Sequence, residues 1–185
     1  MATLVHHLVE DAAQCKPNHT ALKYRETTLA YTQLNTEIIS FANKLVDLSL
    51  GAGERVGIYA EKRVETVVAM FGTSKAGCVF VPINPLLKAD QVTFILENCT
   101  VSLLVTTPDR LSILLSILPQ CKNLKHIIVM TDTPPAIELQ NIKTTLWSEL
   151  KNIDCMQYPK IIDQDIAAIL YTSGSTGNPK GVVLS

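Results

Sequence analysis

The chain has 185 residues, a net charge of −1 and a pI near 6.4; 47 % of it is hydrophobic and 18 % charged. That balance excludes general disorder, and at this length one sizeable domain buries about 70 % of the surface its unfolded form exposes. It provides no basic field for nucleic acid or an anionic membrane surface, so neither is an expected partner.

The N-terminus, M-A-T-L-V-H-H-L-V-E-D, lacks the basic start and apolar core of a signal peptide, and no uncharged apolar stretch is long enough to span a bilayer. Five cysteines, Cys15, Cys78, Cys99, Cys121 and Cys155, are widely spaced without a C-x-x-C pair. An odd count suits neither a complete disulfide framework nor a zinc knuckle, so a reducing compartment, the cytoplasm, is expected. His6 and His7 are adjacent, and adjacent side chains on a helix diverge, which disfavours a shared metal ion. His19 and His126 have no ligand-spaced partner, and no protein-held metal is expected.

After an amphipathic opening helix, residues 21–24 and 27–30 read as two short strands around Arg25 and Glu26, a small hairpin. Leu34, Ile38, Phe41, Leu45 and Leu48 then recur at helical spacing, with Gly51 and Gly53 as stop signals and an apolar strand at 56–60. The same unit follows in type: helix 64–76, strand 78–81, helix 89–98, strand 101–106, helix 110–118 and strand 126–130. Val64, Val67, Val68 and Phe71 form a stripe read as core. Lys75 reads as a surface lysine at a helix end. Residues 131–143, with Pro134 and Pro135, and residues 152–164 read as surface connections. Asp163 and Asp165 read as solvated turn residues. Strands apolar on both faces, alternating with helices, predict an α/β fold: a mostly parallel sheet flanked by helices on both faces, plus the small N-terminal hairpin.

Residues 170–185, L-Y-T-S-G-S-T-G-N-P-K-G-V-V-L-S, carry the chemistry. Glycines let the backbone approach a ligand closely, Thr172, Ser173, Ser175 and Thr176 offer hydroxyl donors, and Lys180 supplies a mobile positive charge. Pro179 fixes its own φ and pushes Asn178 towards an extended conformation, which restricts the direction in which the lysine leaves the loop. A solvated Gly/Ser linker would have similar composition, but here 166–170 and 182–184, both read as buried strands, flank the loop. A Walker A loop is excluded, because Pro179 precedes the lysine and Gly181 follows it.

Residues 172–181 resemble, at every position, the signature loop of the AMP-forming adenylate ligases: acyl-CoA synthetases, aryl-CoA ligases, luciferases and the adenylation domains of nonribosomal peptide synthetases. Two weaker segments occur in the family's order: 74–85, S-K-A-G-C-V-F-V-P-I-N-P, and 29–34, L-A-Y-T-Q-L. The second departs from the family pattern at the helix cap. Ala30 has no side-chain acceptor, which costs about 1 kcal/mol unless Thr32 takes over, while Gln33 can still reach back.

The resemblance implies that residues 1–185 are the N-terminal portion of such a ligase domain, cut after its phosphate-binding loop. It also implies that the parent joins a carboxylic acid to ATP, giving an acyl-adenylate and pyrophosphate, and then passes the acyl group to a thiol. Coenzyme A is the first choice of acceptor and a carrier protein loaded by an amino-acid adenylation domain the second. The site implied comprises Thr172, Ser173, Gly174, Ser175, Thr176, Gly177 and Lys180, with Lys180 as the catalytic group and Mg²⁺ held through the ATP phosphates. A non-catalytic nucleotide-binding or interaction module is the alternative of another class.

Overall fold

The structure is a computed structural model that describes residues 3–134, 139, 141–150, 156–172 and 179–185. In chain order the elements are α1 (His7–Cys15), β1 (Thr20–Tyr24), β2 (Thr27–Ala30), α2 (Tyr31–Asp47), β3 (Arg55–Tyr59), α3 (Val64–Lys75), β4 (Val79–Ile83), α4 (Ala89–Asn98), β5 (Val101–Thr106), α5 (Pro108–Leu114), β6 (His126–Val129), β7 (Lys143–Leu146), β8 (Ala168–Thr172) and β9 (Lys180–Leu184). β1 and β2 form the antiparallel hairpin, Tyr24 facing Thr27 across a turn in which Arg25 takes a φ of 52°.

The remaining strands make one sheet in the order β7-β6-β5-β3-β4-β8-β9. Every neighbouring pair is parallel except β8 and β9. Because side chains alternate along a strand, the sheet feeds two core layers. Val56, Ile58, Leu103 and Val105 join Leu34, Ile38, Phe41 and Leu45 of α2 and Val68 of α3 on one face. Tyr59, Val81, Ile83 and Leu104 join Val92, Ile95 and Leu96 of α4 and Leu111 and Leu114 of α5 on the other. Each such residue, fully buried, contributes about 1.5–3 kcal/mol relative to exposure. The all-buried β5 shows why its sequence carries no alternation: both faces are covered.

Sequence and structure part at instructive places. Residues 143–146, of which Lys143 is expected to end a surface connection and 144–146 have no assigned element, form the edge strand β7 beside β6, with Lys143 exposed and Thr145 buried. An edge strand of so few residues needs little apolar character, so composition does not announce it. The strand expected at 166–170 runs instead over Ala168–Thr172, leaving Ile166 exposed, and the buried strand expected at 182–184 is β9, exposed along its whole length as the outermost strand of the sheet. Asp165 closes a turn by accepting from the Ile162 amide at 2.8 Å, and pairing with β4 begins only at Ala168. The helix expected at 110–118 starts earlier, with Pro108 in its first turn, and ends at Leu114. Lys75 is no free surface lysine: its Nζ lies 2.6 Å from Glu10 Oε1 of α1 and 4.9 Å from the Tyr158 ring centroid.

The missing cap of α2 is replaced from outside the helix. Gln33 Oε1 accepts from the Ala30 amide at 2.9 Å, as expected, but Thr32 does not cap; its hydroxyl donates to the Pro17 carbonyl. The amides of Tyr31 and Thr32 donate to the carbonyls of His19 and Pro17, both at 3.1 Å. With those donors already satisfied, Ala30→Ser is expected to raise thermal stability by no more than about 1 kcal/mol, read by thermal melting.

No helix among the described residues is long and apolar enough to cross a membrane. Cys15, Cys78, Cys99 and Cys121 are free thiols, and Cys155 lies outside the described residues. Burial pushes Cys78 up to about 12 and Cys121 up to about 11, so neither forms appreciable thiolate near neutral pH. In the folded chain a thiol reagent at pH 8 is expected to modify exposed Cys15 quickly and to leave Cys78 and Cys121 unmodified; peptide mapping after a brief pulse checks it.

Candidate functional site

The phosphate-loop candidate is built as the tip of the β8–β9 hairpin. The register runs Ala168 to Leu184, Ile169 to Val183, Leu170 to Val182, Tyr171 to Gly181 and Thr172 to Lys180. Thr172 and Lys180 therefore face each other as the last pair before the loop, about 5 Å apart at Cα as cross-strand neighbours are. Both are exposed. Ser173, Gly174, Ser175, Thr176 and Gly177 lie outside the described residues, so the structure places the two anchors of the loop and the strands that aim them. β8 is parallel to β4, which puts its C-terminal end at the same edge of the sheet as those of β3, β4 and β5. In open α/β sheets that edge is where ligands bind.

One neighbour of the loop anchors, Tyr171, was not singled out by sequence reasoning. The Tyr171 hydroxyl donates to Asn98 Oδ1 at the C-terminal end of α4, at 2.5 Å. Burial, then the neighbouring Cys99, raises the Tyr171 phenol above its usual range, so it stays a protonated donor. Burial likewise raises the Cys99 thiol, whose Sγ lies 3.0 Å from the Ile95 carbonyl. Across the hairpin from Tyr171 sits Gly181, where an added Cβ would meet Ile169 Cγ2 at 3.0 Å and Tyr171 Cζ at 3.3 Å. The glycine after the lysine thus makes room for the tyrosine ring. The signal for Tyr171 was its parity in β8, since Ile169 and Tyr171 pack on the α4 face while Ala168 and Leu170 pack on the α2–α3 face.

The crevice where the strand order reverses, between β3 and β5, is bridged rather than open. Arg110 Nε and the Glu61 carboxylate are 2.7 Å apart across it, and the Thr106 hydroxyl donates to the Tyr59 carbonyl at 2.8 Å. Glu61 is held below the usual carboxylate range, first by a backbone hydrogen bond and then by Arg110. The weaker motif at 74–85 spans the end of α3 and β4. In it Ser74 is buried, Lys75 is paired, and Gly77 takes the left-handed φ of 76° that ends a helix, so its described role is structural. Asp163 and Asp165 are exposed, as solvated turn residues should be.

The description "AMP-binding enzyme" fits residues 9–185. The chain belongs to the AMP-binding enzyme family. It is 34 % identical over 183 residues to surfactin synthase subunit 2 of Bacillus subtilis, a match covering 97 % of this chain and 4 % of that protein. It is 29 % identical over 180 residues to a medium/long-chain-fatty-acid–CoA/3-oxocholest-4-en-26-oate–CoA ligase of Mycobacterium marinum, covering 95 % of this chain and 33 % of the ligase. Among solved structures, the anthranilate CoA ligase AuaEII in complex with anthranoyl-AMP superposes with a TM-score of 0.87 at 26 % identity, over 99 % of this chain and 35 % of that one. The chain therefore spans a third or less of the length of these two curated relatives. The mostly parallel sheet with helices on both faces is thus a fold this chain shares with the anthranilate CoA ligase structure.

Proposed function

We propose that this chain is the N-terminal, phosphate-gripping portion of an enzyme that activates a carboxylic acid with ATP to an acyl-adenylate and transfers the acyl group to a thiol. The observation that carries the reading is the Thr172–Lys180 pair, which brackets the S-G-S-T-G-N-P sequence at the ligand-binding edge of the sheet. Family membership and the likeness to a ligase whose structure holds anthranoyl-AMP support it.

In this reading the hydroxyls of Thr172, Ser173, Ser175 and Thr176, the amides around Gly174 and Gly177, and Lys180 hold the β- and γ-phosphates. The acid's carboxylate attacks the α-phosphorus, the bond to the β-phosphate oxygen breaks, and the negative charge that collects on the leaving pyrophosphate meets these donors. The residue types suit an anionic ligand, since they offer oxygen and nitrogen donors with no carboxylate among them. Mg²⁺, bound through the phosphate oxygens, shares that neutralisation. The chain supplies no nucleophile; it binds and orients.

For the acceptor, coenzyme A is the first reading, supported by the likeness to a CoA ligase structure. A carrier-protein thiol is the second, favoured by the 34 % identity to a surfactin synthase subunit. The test uses the full-length parent protein: exchange of labelled pyrophosphate into ATP that depends on an added acid, followed by thioester formation with coenzyme A or with a phosphopantetheinylated carrier protein. Absence of acid-dependent exchange across a broad panel of acids, in a folded protein that binds no ATP, favours a non-catalytic module and removes the proposal.

A further inference from the structure

We propose that His6, His7 and Glu10, at the start of α1, bind a divalent transition-metal ion of the zinc class. These side chains each offer one ligand atom, and the atoms all lie within 4.8 Å of one another. Adjacent histidines alone would diverge, but Glu10 falls in the gap between them: at about 100° per residue it sits about 40° from His6 and about 60° from His7 around the helix. The two imidazoles themselves meet edge to face, with centroids 4.6 Å apart and planes at 72°. The divergence expected from the sequence is not realised: the two rings meet although their positions lie about 100° apart around the helix.

The surroundings of each ligand fit coordination. His6 Nδ1 lies 3.1 Å from the Ser74 hydroxyl, and His7 Nδ1 lies 3.4 Å from the Thr3 hydroxyl. In the tautomer whose Nδ1–H donates to the hydroxyl oxygen, Nε2 of each ring carries the lone pair, and such a partner fixes tautomer and ring orientation in metal-ligating histidines. Glu10 spends Oε1 on Lys75 Nζ at 2.6 Å and keeps Oε2. The Lys75 ammonium holds the carboxylate in place and also repels a cation. The site therefore favours ions that gain strongly from imidazole nitrogen, such as Zn²⁺, Ni²⁺ and Co²⁺, over Mg²⁺ and Ca²⁺, which want oxygen. His6 is buried, so this ligand is already ordered before an ion arrives. Ser74 and Lys75 close α3, so an ion here fastens α1 to that helix end. The inference stands whether or not the β8–β9 hairpin binds a nucleotide.

The test is Co²⁺ titration of the untagged full-length protein carrying Cys15→Ser, which removes an exposed thiol that would compete, with Zn²⁺ as displacing ion. The expected result is uptake of one Co²⁺ at this site with visible absorption bands, lost on adding Zn²⁺ and unaffected by excess Mg²⁺. His7→Ala and Glu10→Gln each weaken uptake at least about tenfold, Ser74→Ala weakens it about tenfold, and His19→Ala, an exposed histidine outside the cluster, leaves it unchanged. Circular dichroism of each variant confirms that the fold persists. No saturable uptake, uptake indifferent to His7→Ala and Glu10→Gln, or uptake lost equally in His19→Ala overturns the proposal.

Discussion

Lys180→Ala in the full-length enzyme is expected to reduce acid-dependent pyrophosphate exchange about 10- to 150-fold while leaving the fold intact. The size follows from the charge-assisted hydrogen bonds an ammonium makes to phosphate oxygens, about 1.5–3 kcal/mol, converted at a factor of ten per 1.4 kcal/mol. The sparing of the fold follows from position. Lys180 is exposed at the end of an edge strand and makes no ion pair among the described residues, so truncation opens no cavity and strands no buried charge. Its thermal midpoint should therefore match the parent's, surface substitutions of this kind being worth about 0.5 kcal/mol or less. In the proposed reaction charge develops on the departing pyrophosphate, so kcat should fall more than KM for ATP rises. Lys180→Arg keeps the charge on a planar, differently hydrated group and should recover only part of the rate. Undiminished exchange in the alanine variant would remove Lys180 from the site.

The parts of the fold that were legible in the sequence are those where burial on two sides leaves a mark. β5 reads V-S-L-L-V-T and is buried throughout, α4 runs over the same residues as its apolar spacing indicates, and the β1–β2 hairpin is announced by polar residues between two strand-like pieces. What escaped depends on a partner distant in sequence. β7 exists because β6 offers a free edge, and β8 begins two residues late because the Asp165 turn and the register with β4 set its start. Lys75 looked solvated until α1 brought Glu10 against it. The two strands that carry the loop were legible through their apolar runs; Tyr171 was not, because a tyrosine in an apolar strand reads as packing until Asn98, 73 residues away in sequence, is placed beside its hydroxyl.

That contact gives the second large effect. Tyr171→Ala is expected to destabilise the chain by about 2 kcal/mol, less than a fully buried aromatic truncation because the ring is only partly covered. It should also slow the proposed exchange, since the residue joins α4 to the strand that ends at Thr172, and loosening that strand end would position a phosphate-binding anchor less well. Tyr171→Phe keeps the ring over Gly181 and loses one largely solvated hydrogen bond, so its cost should stay under about 1 kcal/mol. Gly181→Ala presses on the same ring from the opposite strand, where the new methyl would sit 3.3 Å from Tyr171 Cζ. If the ring is what the glycine accommodates, the two sites are coupled: the alanine at 181 should cost less when 171 is also alanine than when tyrosine is present. A double-mutant cycle read by thermal or denaturant unfolding measures this directly, and pairs in contact commonly show about 0.5–3 kcal/mol of such coupling. Part of the Gly181→Ala cost will persist in the Tyr171→Ala background, because Ile169 Cγ2 at 3.0 Å also crowds that methyl, but this part cancels from the coupling. Strict additivity would mean that Gly181 answers to Ile169 alone and that Tyr171 aims the hairpin only through Asn98.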